Sequence, residues 1–234
     1  MTHARPDVAR RAGAEGLAAF TLVFAGCGAA VADARYGGAL GTVGVAFAFG
    51  LAITAMVYAT GHLSGAHINP AVTIAFTVTR HFPGRDALAY VGAQLLGATA
   101  AAFTLLAVWS DKPARLGATV PTVPAGSALL YEVVLTAFLM FVIMAVATDT
   151  RAVGAAAAIA IGATIGLGAL VGGPVTGASM NPARSVGPAL ASGEARDLWL
   201  YLAGPIVGAV LGAFAYELVR GRPLAVDRAS AQEA

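Results

Sequence analysis

The tripeptide Asn-Pro-Ala occurs twice, 112 positions apart, and each copy can open a helix that donates hydrogen bonds. The two copies are Asn69, Pro70, Ala71 and Asn181, Pro182, Ala183. Asn is a strong helix N-cap and Pro is favoured at the first helical position, so each copy predicts a helix start. The free N–H groups and positive dipole of such a start repel cations, and the Asn amide can donate to a solute. These residues favour the passage or binding of an uncharged polar molecule.

The residues in front of the two copies also match. Over 65–71 and 177–183, five of the seven positions are identical. A single Asn-Pro-Ala is an ordinary helix start, whereas two copies in matched contexts indicate one functional element used twice. Among the residues before each Asn, Gly65 matches Gly177 and Ala66 matches Ala178, whereas His67 is replaced by Ser179.

The composition indicates which elements position these motifs. Of 234 residues, 58% are hydrophobic and 11% are charged, whereas a soluble domain has about 25% charged residues. A disordered chain and a disulfide scaffold are excluded, the latter because Cys27 is the single cysteine. A net charge of +2 gives no basic face for nucleic acid. The chain is therefore predicted to be an all-α membrane protein.

Six apolar stretches are long enough to cross a hydrocarbon core of about 30 Å as helices. Two further segments, 69–79 and 181–190, are fairly apolar but too short to cross, since ten residues of helix measure about 15 Å. Each short segment begins with Asn-Pro-Ala and follows the second span of a three-span half. The predicted spans are 12–32, 41–60, 86–109, 128–147, 155–172 and 198–219.

Three spans per half is an odd number, so the two halves are inserted in opposite senses and form an inverted repeat. The two short segments are then re-entrant half-helices that enter from opposite faces and meet near the midplane. Irregular backbone at that depth is tolerated only where it lines a wet path. We therefore expect Gly65, Ala66, His67, Gly177 and Ser179 to line a pore.

Two carboxylates, Glu15 and Glu132, occupy matching positions in the first and fourth spans. A carboxylate inside a membrane is costly and indicates function. One interpretation is a proton relay of a coupled transporter. The favoured one is that each pins the irregular loop before an Asn-Pro-Ala by accepting its hydrogen bonds. No catalytic site, metal site or cofactor is predicted.

The chain resembles the major intrinsic protein family, the aquaporins and aquaglyceroporins, over about 15–216. The resemblance is carried by the run Gly-His-Leu-Ser-Gly-Ala-His-Ile-Asn-Pro-Ala-Val-Thr at 61–73 and by Asn-Pro-Ala-Arg-Ser at 181–185. Segments 146–154 and 173–185 resemble the nodulin-like intrinsic proteins of plants. An Arg-rich composition in which Lys112 is the sole lysine suggests a bacterial member of that branch.

The resemblance implies a selectivity filter formed by Phe49, Ala169, Ala178 and Arg184. Arginine is always charged and offers five donors in a fixed fork, which can hold hydroxyl oxygens and repel cations. Strict water channels of the family place a histidine where this chain has Ala169. The aperture is therefore expected to be wider and more apolar on one side, which suits a solute with a hydroxyl edge.

The expected function is a passive channel for water and small uncharged solutes, namely glycerol and metalloid hydroxy-acids such as arsenous or boric acid. The alternatives are a water-selective channel, a proton-coupled transporter using Glu15 and Glu132, and a membrane junction protein with a closed pore. The implied partners are the lipid bilayer and three further copies in a homotetramer.

Arginine and lysine are distributed unequally on the two sides of the predicted spans. The side with both termini holds nine and the other side four, with Arg184 left aside. By the positive-inside rule both termini face the cytoplasm, in a bacterial inner membrane if the source is bacterial. The expected organisation is a tail 1–11, a channel domain 12–220 with repeats of about 12–110 and 128–220, and a tail 221–234.

Overall fold

The computed structural model describes residues 6–149, 151–152 and 154–221. In that part of the chain, six helices are long and apolar enough to cross a membrane and two are short. The predicted fold of six spanning helices and two re-entrant half-helices is confirmed. The long helices are α1 (Val8–Arg35), α2 (Gly41–Ser64), α4 (Gly84–Val108), α5 (Ala125–Thr148), α6 (Ala157–Thr176) and α8 (Leu200–Arg220); the short ones are α3 (Pro70–Val78) and α7 (Pro182–Ser192).

The first helix begins earlier than the expected span 12–32. The Asp7 carboxylate accepts a hydrogen bond from Arg10 N at 2.9 Å and caps α1, so the helix starts at Val8. Part of the expected tail 1–11 is therefore helical. Residues 1–5 of that tail and 222–234 of the expected C-terminal tail lie outside the described residues.

Both half-helices start as the sequence chemistry predicts. Asn69 Oδ1 accepts from Ala71 N at 2.9 Å, and Asn181 Oδ1 accepts from Ala183 N at 3.0 Å. Pro occupies the first turn of each helix, where its missing N–H costs nothing. The same local chemistry thus ends an irregular loop and opens a helix in each half.

Helix packing repeats between the halves. Within the halves α1 packs on α4 and α5 packs on α8, while α2 packs on α6 across them. Small residues permit these contacts: a Cβ on Gly208 would lie 2.3 Å from Val133 O, and one on Gly50 would lie 2.7 Å from Gly162 O. The close packing brings the loops before Asn69 and Asn181 together in the interior.

The connection after α5 is fastened to α8. Asp149 accepts from Arg151 Nε at 2.9 Å and from Tyr216 Oη at 2.7 Å. The hydrogen bonds from the Arg151 side chain, with that from Tyr216, hold the pKa of Asp149 well below its usual range. This carboxylate therefore stays ionised, and the tie to α8 persists until strong acid protonates it.

Candidate functional site

The N-termini of α3 and α7 meet and exchange hydrogen bonds in the interior. Asn69 Nδ2 donates to Met180 O at 2.7 Å, and Asn181 Nδ2 donates to Ile68 O at 3.0 Å. Each Asn thus caps its own half-helix through Oδ1 and holds the opposite loop through Nδ2. An amide carries two N–H donors, so each Asn retains one donor beyond this cross-tie.

The loops before the two Asn residues have the same unusual backbone. Ala66, Ile68, Ala178 and Met180 have φ of 48°, 58°, 44° and 51°. Non-glycine residues seldom adopt this left-handed region, and each such residue costs about 1–2 kcal/mol. Helical backbone satisfies its own N–H and C=O groups, whereas this backbone needs partners from outside the loop. Those partners come from α1 and α5.

Glu15 of α1 holds the first loop. It accepts from His67 N at 2.9 Å, Ile68 N at 2.6 Å, Ser64 Oγ at 2.7 Å and Gln94 Nε2 at 2.8 Å. Its side chain is fully buried. With four donors around it, the carboxylate serves as the acceptor that the loop lacks.

Glu132 of α5 holds the second loop in the same way. It accepts from Ser179 N at 2.9 Å, Met180 N at 2.9 Å and Thr176 Oγ1 at 2.7 Å. It too is fully buried. The symmetry of the two sets of contacts is that of the inverted repeat, and each carboxylate is occupied by the loop of its own half.

Arg184 lies in the first turn of α7 and is buried. Its Nη1 donates to Gly117 O at 2.7 Å, and its Cζ lies 4.9 Å from the centroid of the Phe49 ring, which is a cation–π contact. Within the described residues its Nε has no hydrogen-bond partner. The guanidinium is thus held on two sides and keeps an unused donor.

An outer cavity of about 380 Å³ brings together three of the four expected filter residues. Phe49, Ala169 and Arg184 line it, as does Gly177, whereas Ala178 is buried beside Gly172 and does not. The small side chain of Ala169 takes up little of the space in this cavity. The lining of the cavity thus combines two charged residues, Arg184 and Asp33, with small and apolar ones.

A second, inner cavity of about 40 Å³ extends from the two Asn residues along the first loop. Gly65, Ala66 and His67 line it, together with Asn69 and Asn181. Apolar side chains of α2, α5 and α6 form the opposite wall. The wall of the inner cavity is thus polar where the first loop forms it and apolar where the helices form it.

The residues His67 and Ser179 occupy matching places in the two loops and have different partners. His67 Nδ1 lies 3.1 Å from Thr73 Oγ1, and Ser179 Oγ lies 2.7 Å from Ser185 Oγ. Ser185 Oγ is also 2.8 Å from Thr119 Oγ1 in the α4–α5 connection. Ser179 therefore fastens its loop, while His67 also borders the inner cavity.

Gly117 and its surrounding turn are site residues that sequence reasoning missed. Ala114, Arg115 and Leu116 have φ of 47°, 51° and 56°, so the turn is left-handed. Gly117 follows with φ of 77°, and a Cβ there would lie 2.6 Å from Cys27 Cβ. The turn presents the carbonyl that holds Arg184. A lone Gly in a connecting loop gave no signal of this role.

Comparisons with known proteins agree with this geometry. The sequence profile of the major intrinsic protein family matches residues 2–216. The chain is 53% identical over 207 residues to aquaporin NIP1-1 of Zea mays, covering 88% of this chain and 73% of that protein. It is 48% identical over 220 residues to nodulin-26 of Glycine max, with 93% and 81% covered.

A solved structure shares the fold. The aquaglyceroporin from Plasmodium falciparum superposes with a TM-score of 0.84 at 26% identity, covering 92% of this chain and 97% of that one. The relatives named here confirm the nodulin-like branch inferred from 146–154 and 173–185. Because the family profile matches nearly the whole chain, the chain belongs to the major intrinsic protein family.

Proposed function

We propose that this protein is a passive channel for water and small neutral solutes. The observation that carries the proposal is the meeting of two half-helix N-termini, cross-tied by Asn69 and Asn181, at a cavity that continues along the first loop. Membership of a family of channel proteins and the aquaglyceroporin neighbour support it. No energy source is required, because each buried glutamate is occupied by its own loop.

We infer that the solutes are glycerol and uncharged hydroxy-acids such as arsenous or boric acid. Arg184 supports this, since it lines the outer cavity and its guanidinium carries five donors in a fixed fork, from which a hydroxyl oxygen can accept. Ala169 supports it by leaving room that an imidazole would fill. Phe49 offers a ring face to the less polar side of such a solute.

Ions and protons are excluded in this proposal by two positive features. The N-terminal dipole ends of α3 and α7 point at the same place, where a cation is repelled. Arg184 adds a full positive charge at the outer cavity. A neutral solute meets no such barrier and replaces its lost water hydrogen bonds with those of the Asn amides and loop carbonyls.

The placement in the cell follows from charge distribution. We propose that both termini face the cytoplasm, supported by nine Arg on their side against four Lys and Arg on the other. The Lys-poor composition supports a bacterial plasma membrane. We propose a homotetramer in which each copy has its own pore, as the family resemblance implies.

The test is light scattering on proteoliposomes challenged in parallel with an impermeant osmolyte, glycerol and neutral arsenous acid. Fast entry of both solutes supports the proposal. Fast water flux with solute exclusion would support the water-selective alternative. Uphill uptake driven by a pH gradient would support the proton-coupled alternative, and absence of any protein-dependent swelling would support a closed junction protein.

Placing an imidazole in the filter tests its assignment. Ala169→His is expected to lower glycerol permeability by about tenfold while water permeability changes by less than about twofold, because the added ring narrows the aperture for the larger molecule. The measurement is the ratio of the two permeabilities in proteoliposomes. Ala169→Val adds volume without polarity and serves as the control; equal loss of both fluxes in Ala169→His would contradict the placement.

A further inference from the structure

The carbonyl of Gly117 is contacted by two helices at once. Arg184 Nη1 of α7 donates to it at 2.7 Å, and Cys27 Sγ of α1 lies 3.8 Å from the same oxygen, within reach of a weak S–H···O bond. Cys27 is fully buried, so a solute in the outer cavity does not touch it. The carbonyl therefore connects α1 to the arginine of the filter.

The contact between Gly117 and α1 leaves no room for a side chain. A Cβ on Gly117 would lie 2.6 Å from Cys27 Cβ and 3.0 Å from Cys27 Cα. Carbon atoms in contact are normally about 3.5–4.0 Å apart. The atoms in the way belong to the helix backbone and to its first side-chain carbon, which cannot swing aside. Gly117 therefore rests directly on α1.

The other side of the turn Pro113–Gly117 is fastened near the far end of α7. Lys112 Nζ donates to Ser192 O at 3.0 Å, and Arg115 Nε lies 3.7 Å from a carboxylate oxygen of Glu194. Leu116, within the turn, is fully buried. The turn is thus held between α7 and α1, and an atom added on its α1 side is expected to displace its carbonyl.

We propose that the fit of Gly117 against Cys27 positions the Arg184 guanidinium in the filter, which makes Cys27 a positioning residue for solute selection. This inference rests on the proposed channel function. Without Gly117 O, the guanidinium keeps its contact with the Phe49 ring but loses a hydrogen bond. Its side chain is then free to turn into the outer cavity, where it obstructs glycerol more than water while its charge still repels cations.

The experiment adds an atom on one side of the contact and removes atoms from the other. Gly117→Ala is expected to lower the glycerol-to-water permeability ratio in proteoliposomes by about tenfold, because the added Cβ overlaps Cys27. Cys27→Gly removes both Cβ and Sγ. The double variant is expected to return the ratio to within about threefold of that of the unaltered protein, whereas the effects of two independent substitutions would add.

The matched control is Gly37→Ala, which also places alanine at a positive φ. Gly37 has φ of 67°, and a Cβ there would meet nothing within 4 Å. This variant is expected to leave the ratio unchanged, which separates backbone strain from the contact with α1. A change in folded fraction does not move the ratio. Methylammonium is expected to stay excluded in Gly117→Ala, because Arg184 is displaced and not removed.

Cys27→Val enlarges the contact from the α1 side and is expected to lower the ratio as well, should Gly117→Ala fail to fold. A double variant with a ratio no higher than that of Gly117→Ala overturns the proposal, as does an unchanged ratio in both Gly117→Ala and Cys27→Val. Absence of glycerol flux in the unaltered protein would contradict the proposed solutes, and this inference with them.

Discussion

Replacing Glu132 with leucine is expected to abolish permeation of both water and glycerol. The carboxylate is the acceptor for Ser179 N and Met180 N, in a loop where Ala178 and Met180 have left-handed backbone. Each buried N–H left without a partner costs about 1–3 kcal/mol, and no bulk water is at hand to replace the lost acceptor. The loop then rearranges and Asn181 leaves its cross-tie.

The measurement is osmotic swelling of proteoliposomes, normalised to the amount of inserted protein. Val134→Leu is the matched control, since Val134 is on the exposed face of α5. Glu132→Gln keeps an acceptor oxygen for part of the loop and is expected to retain a reduced passive flux. Wild-type flux in Glu132→Leu would show that the loop does not depend on this carboxylate.

The same variants separate a channel from a proton-coupled transporter. In a coupled transporter, Glu15→Gln and Glu132→Gln would remove the titrating group and abolish uphill uptake under a pH gradient. In the passive channel there is no uphill uptake to lose. Downhill flux that survives in the glutamine variants, with no response to the gradient in the unaltered protein, is the expected outcome.

Replacing Arg184 with alanine is expected to weaken the barrier to cations. The variant removes a buried full charge and the donor that holds Gly117 O. We expect methylammonium permeability to rise by at least about tenfold, which corresponds to a barrier lowered by about 1.4 kcal/mol. Water flux should rise as well, since the side chain also occupies part of the outer cavity.

Arg184→Lys is the matched comparison, because it keeps the charge and loses the planar fork. Cation exclusion is expected to persist in it, while glycerol permeability falls because fewer donors reach the hydroxyl groups. Currents or fluorescence measured with methylammonium and with protons in parallel give both readouts. Unchanged selectivity in Arg184→Ala would place the charge filter elsewhere in the pore.

The half-helices could be predicted because their chemistry is local. Asn69 and Asn181 cap the turns that follow them, and Pro70 and Pro182 fit only the first turn, so four residues suffice to locate two helix starts. The membrane spans could be predicted for the same reason, since the length and the apolar composition of each segment decide whether it can cross the membrane. The hydrogen bonds that Glu15 and Glu132 accept from the loops could also be anticipated, because a carboxylate inside a membrane needs a hydrogen-bond partner.

Other parts of the site were beyond sequence reasoning for physical reasons. The Gly117 carbonyl meets Arg184 only through the course of a left-handed turn, and no periodicity encodes that course. The apolar side chains of α5 and α6 that border the inner cavity lie on helices that are apolar all round, so no polar face marks which side borders the cavity. Which side of such a helix borders the cavity is decided by its packing against helices that are distant in the sequence.

The cross-tie between Asn69 and Asn181 also governs when the pore comes into being. Its two hydrogen bonds join residues 111 and 113 positions apart, and contacts so distant in sequence form late. During synthesis the first half enters the bilayer while Ile68 O still lacks the donor that it later receives from Asn181. A chain cut short at its midpoint therefore has half a pore wall and no conducting path.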